Sequence, residues 1–221
     1  MTGVSTDVLA LDGRALGKRG ALTRRRLLDA TTRLLEHSGV RDLRVVDIAR
    51  DVGTSPATFY QYFHDVAEAV LALADEVGED LAPLGELLAR DWDGPDGLAS
   101  ARKLVDAFIE YWDQHRAVLR TRNLAAQEGD QRFRTVRNES LRPLRDGLAA
   151  KVTESQRRGL VGDGIAPMAA AAALSSMMER MAAFHTDLEP LGVGRPDLVE
   201  TTARIIHQTV TGRTVTGRTV S

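Results

Sequence analysis

The chain has 221 residues, 43% hydrophobic and 27% charged, with a formal net charge of -2 and no cysteine. That length holds one large domain or two small ones around a substantial core. The lack of cysteine excludes disulfides, thiolate metal sites and cysteine nucleophiles, and fits a reducing cytoplasm.

Net charge alone points to no polyanionic partner, but its distribution does. From Arg14 to Phe63 there are ten Lys/Arg against five Asp/Glu, a net of +5, whereas His64 to Leu98 holds one Arg against ten acidic residues, a net of -9. A basic head beside an acidic segment confines polyanion contact to the head.

Residues 1–17 mix Gly, Ser, Thr and Asp without periodicity and read as a flexible N-terminal arm. Thr23 is placed to cap a first helix carrying Leu27, Leu28, Thr31, Leu34 and Leu35 and ending at Gly39. A second helix sets Val45, Ile48, Ala49 and Val52 on one face and stops at Gly53. Ser55 as N-cap and Pro56 as first helical residue predict a third helix over 56–63. Four of the ten aromatic residues fall within it, Phe59, Tyr60, Tyr62 and Phe63. At about 100° per residue Phe59 and Phe63 point inward, while Ala57, Thr58 and Gln61 point outward and the two tyrosines take the borders. His64 then precedes an Asp-led analogue of a capping box, Asp65-Val66-Ala67-Glu68, opening a fourth helix that bends or ends near Pro83-Leu84-Gly85.

Asp93-Gly94-Pro95-Asp96-Gly97 reads as a loop. Further helices are expected at roughly 98–114, 117–128, 131–158, 166–188 and 197–211, with breaks at Gly129, Gly159 to Gly164 and Pro190 to Pro196. The tail repeats Thr-Gly-Arg-Thr-Val and is expected to be disordered over 213–221. The uncharged run Ile165 to Met178 is too short to span a membrane and suits a buried helix. With no basic region followed by an apolar run at the N-terminus, the chain is expected to be soluble and cytoplasmic. The fold class is all-α: a three-helix helix-turn-helix domain over 18–65, then a larger helical domain over 66–212.

Two short helices around a Gly-containing turn form a helix-turn-helix pattern, which lays its second helix in the major groove of double-stranded DNA. Thr58 and Gln61 are placed for base edges and the Ala57 methyl for a thymine methyl. Arg44, Thr54, Ser55, Tyr60 and Tyr62 are placed for phosphates, which position without reading sequence. Lys18, Arg19 and Arg24-Arg25-Arg26 extend the same electrostatic footprint. A helical hairpin used only for packing is the competing reading.

The residues Val45-Val46-Asp47-Ile48-Ala49, Val52-Gly53-Thr54-Ser55 and Thr58-Phe59-Tyr60-Gln61-Tyr62-Phe63 make residues 23–81 similar to the N-terminal domain of TetR-family transcriptional regulators. That resemblance implies a homodimer that binds a palindromic operator as a repressor and is released when a small molecule enters the C-terminal domain. Two positions depart from the family's pattern. Val66 stands where a basic residue is common at the start of the fourth helix, leaving His64 and that helix's amino end to face phosphate. Arg44 stands where the family often caps with Thr, giving up the cap but keeping a phosphate ligand.

In the C-terminal half, Phe108, Tyr111 and Trp112 share a helix face or its borders, and Met178, Met181 and Phe184 cluster near the end of the Ala-rich helix. Aromatics and adaptable methionines can line a pocket for an apolar or amphipathic effector, with Tyr111, Asn123 and His185 as polar fixers. An ordinary helical core is the alternative for each. Ala169 to Ala173 on one helix and Leu198, Ile205 and Ile206 on the last suit a two-fold four-helix interface. An enzyme is disfavoured, since the five histidines are scattered and no phosphate-cradling Gly motif or nucleophile elbow occurs. No catalytic residue, metal ligand or cofactor is therefore expected. A DNA-bound architectural protein without an effector is the remaining rival.

Overall fold

A computed structural model describes residues 16–38 and 42–213. The arm and tail read at 1–17 and 213–221 lie almost wholly outside these, as does the helix end expected at Gly39. All regular structure among the described residues is helical: α1 Lys18–Leu35, α2 Val45–Val52, α3 Pro56–Phe59, α4 Val66–Glu79, α5 Ala82–Ala89, α6 Gly97–Gln114, α7 Arg116–Gln127, α8 Gln131–Arg157, α9 Pro167–Leu188 and α10 Arg195–Thr211, with a 3-10 turn at Glu189–Leu191. None of these helices is long and apolar enough to cross a membrane. The residues form two compact units. One comprises the chain up to Glu76 with Arg116–Arg137; the other comprises Val77–His115 with the chain from Asn138 onward.

In the first unit α1 buries Leu27, Leu28, Ala30, Thr31 and Leu35, and α2 and α7 both pack against it. Thr23 does not cap α1, which already begins at Lys18 after Gly17. Its hydroxyl instead donates to the Arg19 carbonyl at 3.0 Å. A threonine can back-bond to the preceding turn as readily as it can cap, so it marks no helix start by itself. Gly53 ends α2 at φ 72°, ψ 38°, a left-handed conformation that costs glycine little and other residues more. Arg26 closes the same end by donating to the Val52 carbonyl at 3.1 Å.

The third helix is shorter than the expected 56–63. Its α-helical turn ends at Phe59, with Tyr60 as C-cap at φ -66°, ψ -9°. Beyond it Gln61 N–H donates to the Thr58 carbonyl and Tyr62 N–H to the Phe59 carbonyl, so the segment tightens into 3-10 geometry. Phe63 N–H still reaches the Phe59 carbonyl at 3.1 Å, which keeps the two phenylalanines on one side. Glu68 N–H donates to the Asp65 carboxylate at 2.7 Å and His64 N–H to Glu68 at 2.5 Å, opening α4 as the sequence pattern predicts.

In the second unit α6 is the central helix, packed by α5, α9 and α10. It buries Leu98, Ala101, Leu104, Val105, Phe108, Ile109, Tyr111 and Trp112, too broad an apolar surface for a one-sided helix. The separate helix α5 was not expected from the sequence. Pro83 at its N-terminal turn starts it where the fourth helix was read as bending, because proline fits a first turn without losing a bond.

The turn between α5 and α6 is held by Trp92, whose indole N–H donates to the Leu87 carbonyl at 2.9 Å. The Trp92 carbonyl meets His207 Nε2 of α10 at 3.0 Å. A carbonyl only accepts, so Nε2 carries the proton, and Nδ1 is buried without a partner among the described residues. Gly97 makes this approach possible: a Cβ there would stand 1.8 Å from the Trp92 oxygen and 3.0 Å from His207 Nε2. On the surface nearby, Arg102 and then Arg204 hold the Glu200 carboxyl down to about 2, tying α6 to α10 by an exposed pair that adds little stability.

Gly97→Ala is therefore expected to lower stability by roughly 1–3 kcal/mol, the range for overpacking, measured by urea unfolding. An unchanged midpoint would show that this approach is not tight. Burial is the main influence on His207 and lowers its pKa from the ordinary 6.5, with the Trp92 carbonyl opposing. The folded state thus resists a proton that the unfolded state accepts, so stability is full above about pH 6.5 and lost as pH falls through the folded value. His207→Gln should flatten the decline in melting temperature between about pH 7 and 5, and a wild-type slope in the variant would remove His207 from that effect.

Candidate nucleic-acid interface and effector-binding residues

The exposed side of α3 is set by what lies beneath it. Phe59 and Phe63 are 0% and 2% exposed, their ring centroids 5.5 Å apart. Arg24 of α1 stacks its guanidinium 5.2 Å from the Phe63 centroid. Burying two such rings favours this orientation by about 1.5–3 kcal/mol each. The Ser55 hydroxyl accepts the Thr58 N–H at 3.2 Å and lies 3.1 Å from the Thr58 hydroxyl, which fixes the entry to the turn and the Thr58 rotamer together.

With that side buried, the predicted contact residues divide clearly. Ala57, Tyr60 and Gln61 are exposed, and Thr58 and Tyr62 are half-buried. Tyr60 is 53% exposed and packs edge-on against Phe59 with centroids 5.9 Å apart. Thr54 is half-buried and Ser55 exposed, both in the turn before α3; His64 is exposed just after it. Arg44 immediately precedes α2 and makes no cap hydrogen bond. It pairs with Asp47 at 3.1 Å while its side chain stays 74% exposed, a weak pair that phosphate can displace. Arg50 shares Asp47 at 3.3 Å with equal exposure. It belongs to the same cationic edge and was missed in the sequence, where only its spacing from Asp47 hinted at it.

The three consecutive arginines of α1 are engaged elsewhere. Arg24 and Arg25 pair with Glu76 of α4 at 3.4 and 2.9 Å, Arg25 also reaches Asp29, and Arg26 caps α2. Much of the basic charge counted in the head therefore stitches helices together.

The expected effector residues fall in both units. Phe108, Tyr111, Trp112 and Met178 are buried in the second unit, Met181 is half-buried there, and Phe184 is 39% exposed. Phe108 and Tyr111 have ring centroids 6.0 Å apart. Phe184 sits at a kink in α9, with φ -126° and ψ 18°, and Arg180 covers its ring at 3.7 Å. The buried His185 that follows places Nε2 2.8 Å from the Asp113 carboxylate. Asn123 is on α7, in the other unit, accepting from Arg122 at 3.1 Å. A cavity of about 540 Å³ in the second unit is lined by none of these residues, but by α5, the turn after it, α8 and the end of α10.

Comparison with known proteins agrees with the helix-turn-helix arrangement. Residues 84–217 match the model of the tetracyclin repressor-like C-terminal domain, and residues 27–73 match that of bacterial regulatory proteins of the tetR family. An HTH-type transcriptional regulator of Haemophilus influenzae is 29% identical over 132 residues, 59% of this chain and 63% of that protein. The alignment thus spans less than two thirds of that relative's length. The HTH-type transcriptional regulator EthR of Mycolicibacterium smegmatis is 27% identical over 187 residues, 84% of this chain and 85% of its own. Thermus thermophilus FadR, a TetR-family repressor solved in complex with lauroyl-CoA, shares the fold with a TM-score of 0.58 at 20% identity, over 90% of this chain and 98% of that one. The chain belongs to the tetR family of bacterial regulatory proteins.

Proposed function

We propose that this protein is a homodimeric repressor that binds a palindromic operator and is released by a small apolar or amphipathic effector. The observation that carries the reading is the capped turn over Phe59 and Phe63, which leaves Ala57, Thr58, Tyr60 and Gln61 on one accessible face. Thr58 and Gln61 read base edges, while Arg44, Thr54, Ser55, Tyr60, Tyr62 and His64 hold the backbone. One such turn contacts too few base pairs to define a site, and two-fold pairing doubles the readout.

The dimer surface is the outer face of α9 and α10. Ala169, Ala172, Ala173 and Ser176 recur along the exposed side of α9, and Ile205 of α10 is 42% exposed. Small residues with scattered large apolar ones let a second pair of helices approach closely.

The effector binds in the second unit beside Phe108, Trp112 and Met178. Trp112 Nε1 is buried there without an acceptor among the described residues, and an orphan donor of this kind costs about 1–3 kcal/mol. An effector oxygen that accepts from it would recover that cost. The lauroyl-CoA bound to Thermus thermophilus FadR supports an amphipathic effector for this fold. Helix α4 runs from the first unit into the second. An effector that favours a different setting of α4 moves the recognition turns off the spacing of successive major grooves, and DNA weakens effector binding reciprocally.

Thr58→Ala and Gln61→Ala should each lose roughly 1–3 kcal/mol of discrimination at particular base pairs, measured by competition among single-base operator variants. A uniform loss across all variants would remove them from base readout. Arg44→Ala should weaken every sequence alike and reduce the salt slope of binding by about 1; a change confined to one operator would contradict its phosphate role. Ala172→Arg should convert the dimer to monomer by sedimentation, and an intact dimer would exclude this face.

A further inference from the structure

The cavity of about 540 Å³ in the second unit has a chemistry that the DNA-binding reading does not use. Its wall is apolar where Leu88, Pro143, Ala150 and Val210 meet. Gly147 lets α8 lie close against α5 in that wall: a Cβ there would stand 2.8 Å from a Leu88 methyl. Its rim is charged, and most of that charge is already matched. Asp93 pairs with Arg158 and faces Arg213 at 3.9 Å. Glu154 pairs with Arg157 at 3.1 Å. Asp91 is turned back to accept the Asp93 N–H at 2.8 Å.

Lys151 differs. Its ammonium donates to the Arg90 carbonyl at 2.8 Å and rests over the Trp92 ring at 4.8 Å. It makes no ion pair with a carboxylate among the described residues. Two of its three protons are therefore available at the edge of an apolar cleft. Burial lowers the Lys151 pKa, opposed by the through-space pull of Asp91 and Asp93; an anion in contact would raise it again.

We propose that this cleft binds a small amphipathic carboxylate, its acid group on Lys151 and its apolar body against Leu88, Ala150 and Val210. A volume of about 540 Å³ lies within the usual range for ligand sites, about 300–1,000 Å³. The cleft is separate from the residues placed around Trp112, and the proposal stands whether or not the protein binds DNA.

The test is titration calorimetry of the full chain, without DNA, using 4-phenylbutyrate and its uncharged amide as probes. The acid should bind at least tenfold more tightly than the amide. Lys151→Gln, which keeps a donor for the Arg90 carbonyl, should abolish that preference. Ala150→Trp, at an exposed position lining the cleft, should prevent binding of both. Melting temperatures of the two variants check that they remain folded. Equal affinity for acid and amide, no measurable binding of the acid, or an undiminished preference in Lys151→Gln or undiminished binding in Ala150→Trp would each overturn the assignment. Failure here leaves operator binding unaffected, so the two readings are distinguishable.

Discussion

The face we propose for DNA depends on the burial of Phe59 and Phe63. The segment that carries them has a single α-helical turn followed by 3-10 bonds, and so short a helix has no stability of its own in water. Its shape is imposed from below by two rings in the core and from one end by the Ser55 cap. Because adjacent residues point in different directions, fixing Phe59 and Phe63 fixes the outward aim of Thr58 and Gln61. Removing either ring would leave the contact residues present in the chain but without a common direction.

The same logic explains the arginines of α1. A cluster of three consecutive cations in a basic head suggests phosphate, yet each has a partner within the unit. Arg24 and Arg25 converge on Glu76, in the last part of α4 that belongs to the first unit. The recognition turn and α4 are therefore tied to one helix, Arg24 contributing to both by stacking on Phe63 and pairing with Glu76. A displacement of α4 acts directly on the residue that covers the recognition core. Charge count alone did not distinguish such stitching cations from free ones, because pairing depends on acidic residues as far along the chain as Glu76.

Much of the architecture was legible in the sequence. Helix periodicity located most of the C-terminal helices to within a residue or two, and Gly53, Ser55 and Asp65 punctuated the head because their chemistry acts locally. Failures came where the deciding interaction is not local. Thr23 had the residue type of a cap, but the helix already extended through it to Lys18. Helix α5 escaped because a proline tolerated in a first turn looks like a breaker when read alone. The grouping of α7 with the head rests on packing against α1 across some eighty residues of chain, which no periodicity reveals. The cleft beside Lys151 was invisible for the same reason, since its walls come from α5, α8 and α10.

Sequence selection by the purified full-length protein from random duplexes at low salt tests the central claim most directly. The account predicts enrichment of one site with two-fold symmetry, its half-sites centred about one helical turn, roughly 34–36 Å, or a multiple of it apart. Recovery of no sequence above scrambled competitors would contradict it.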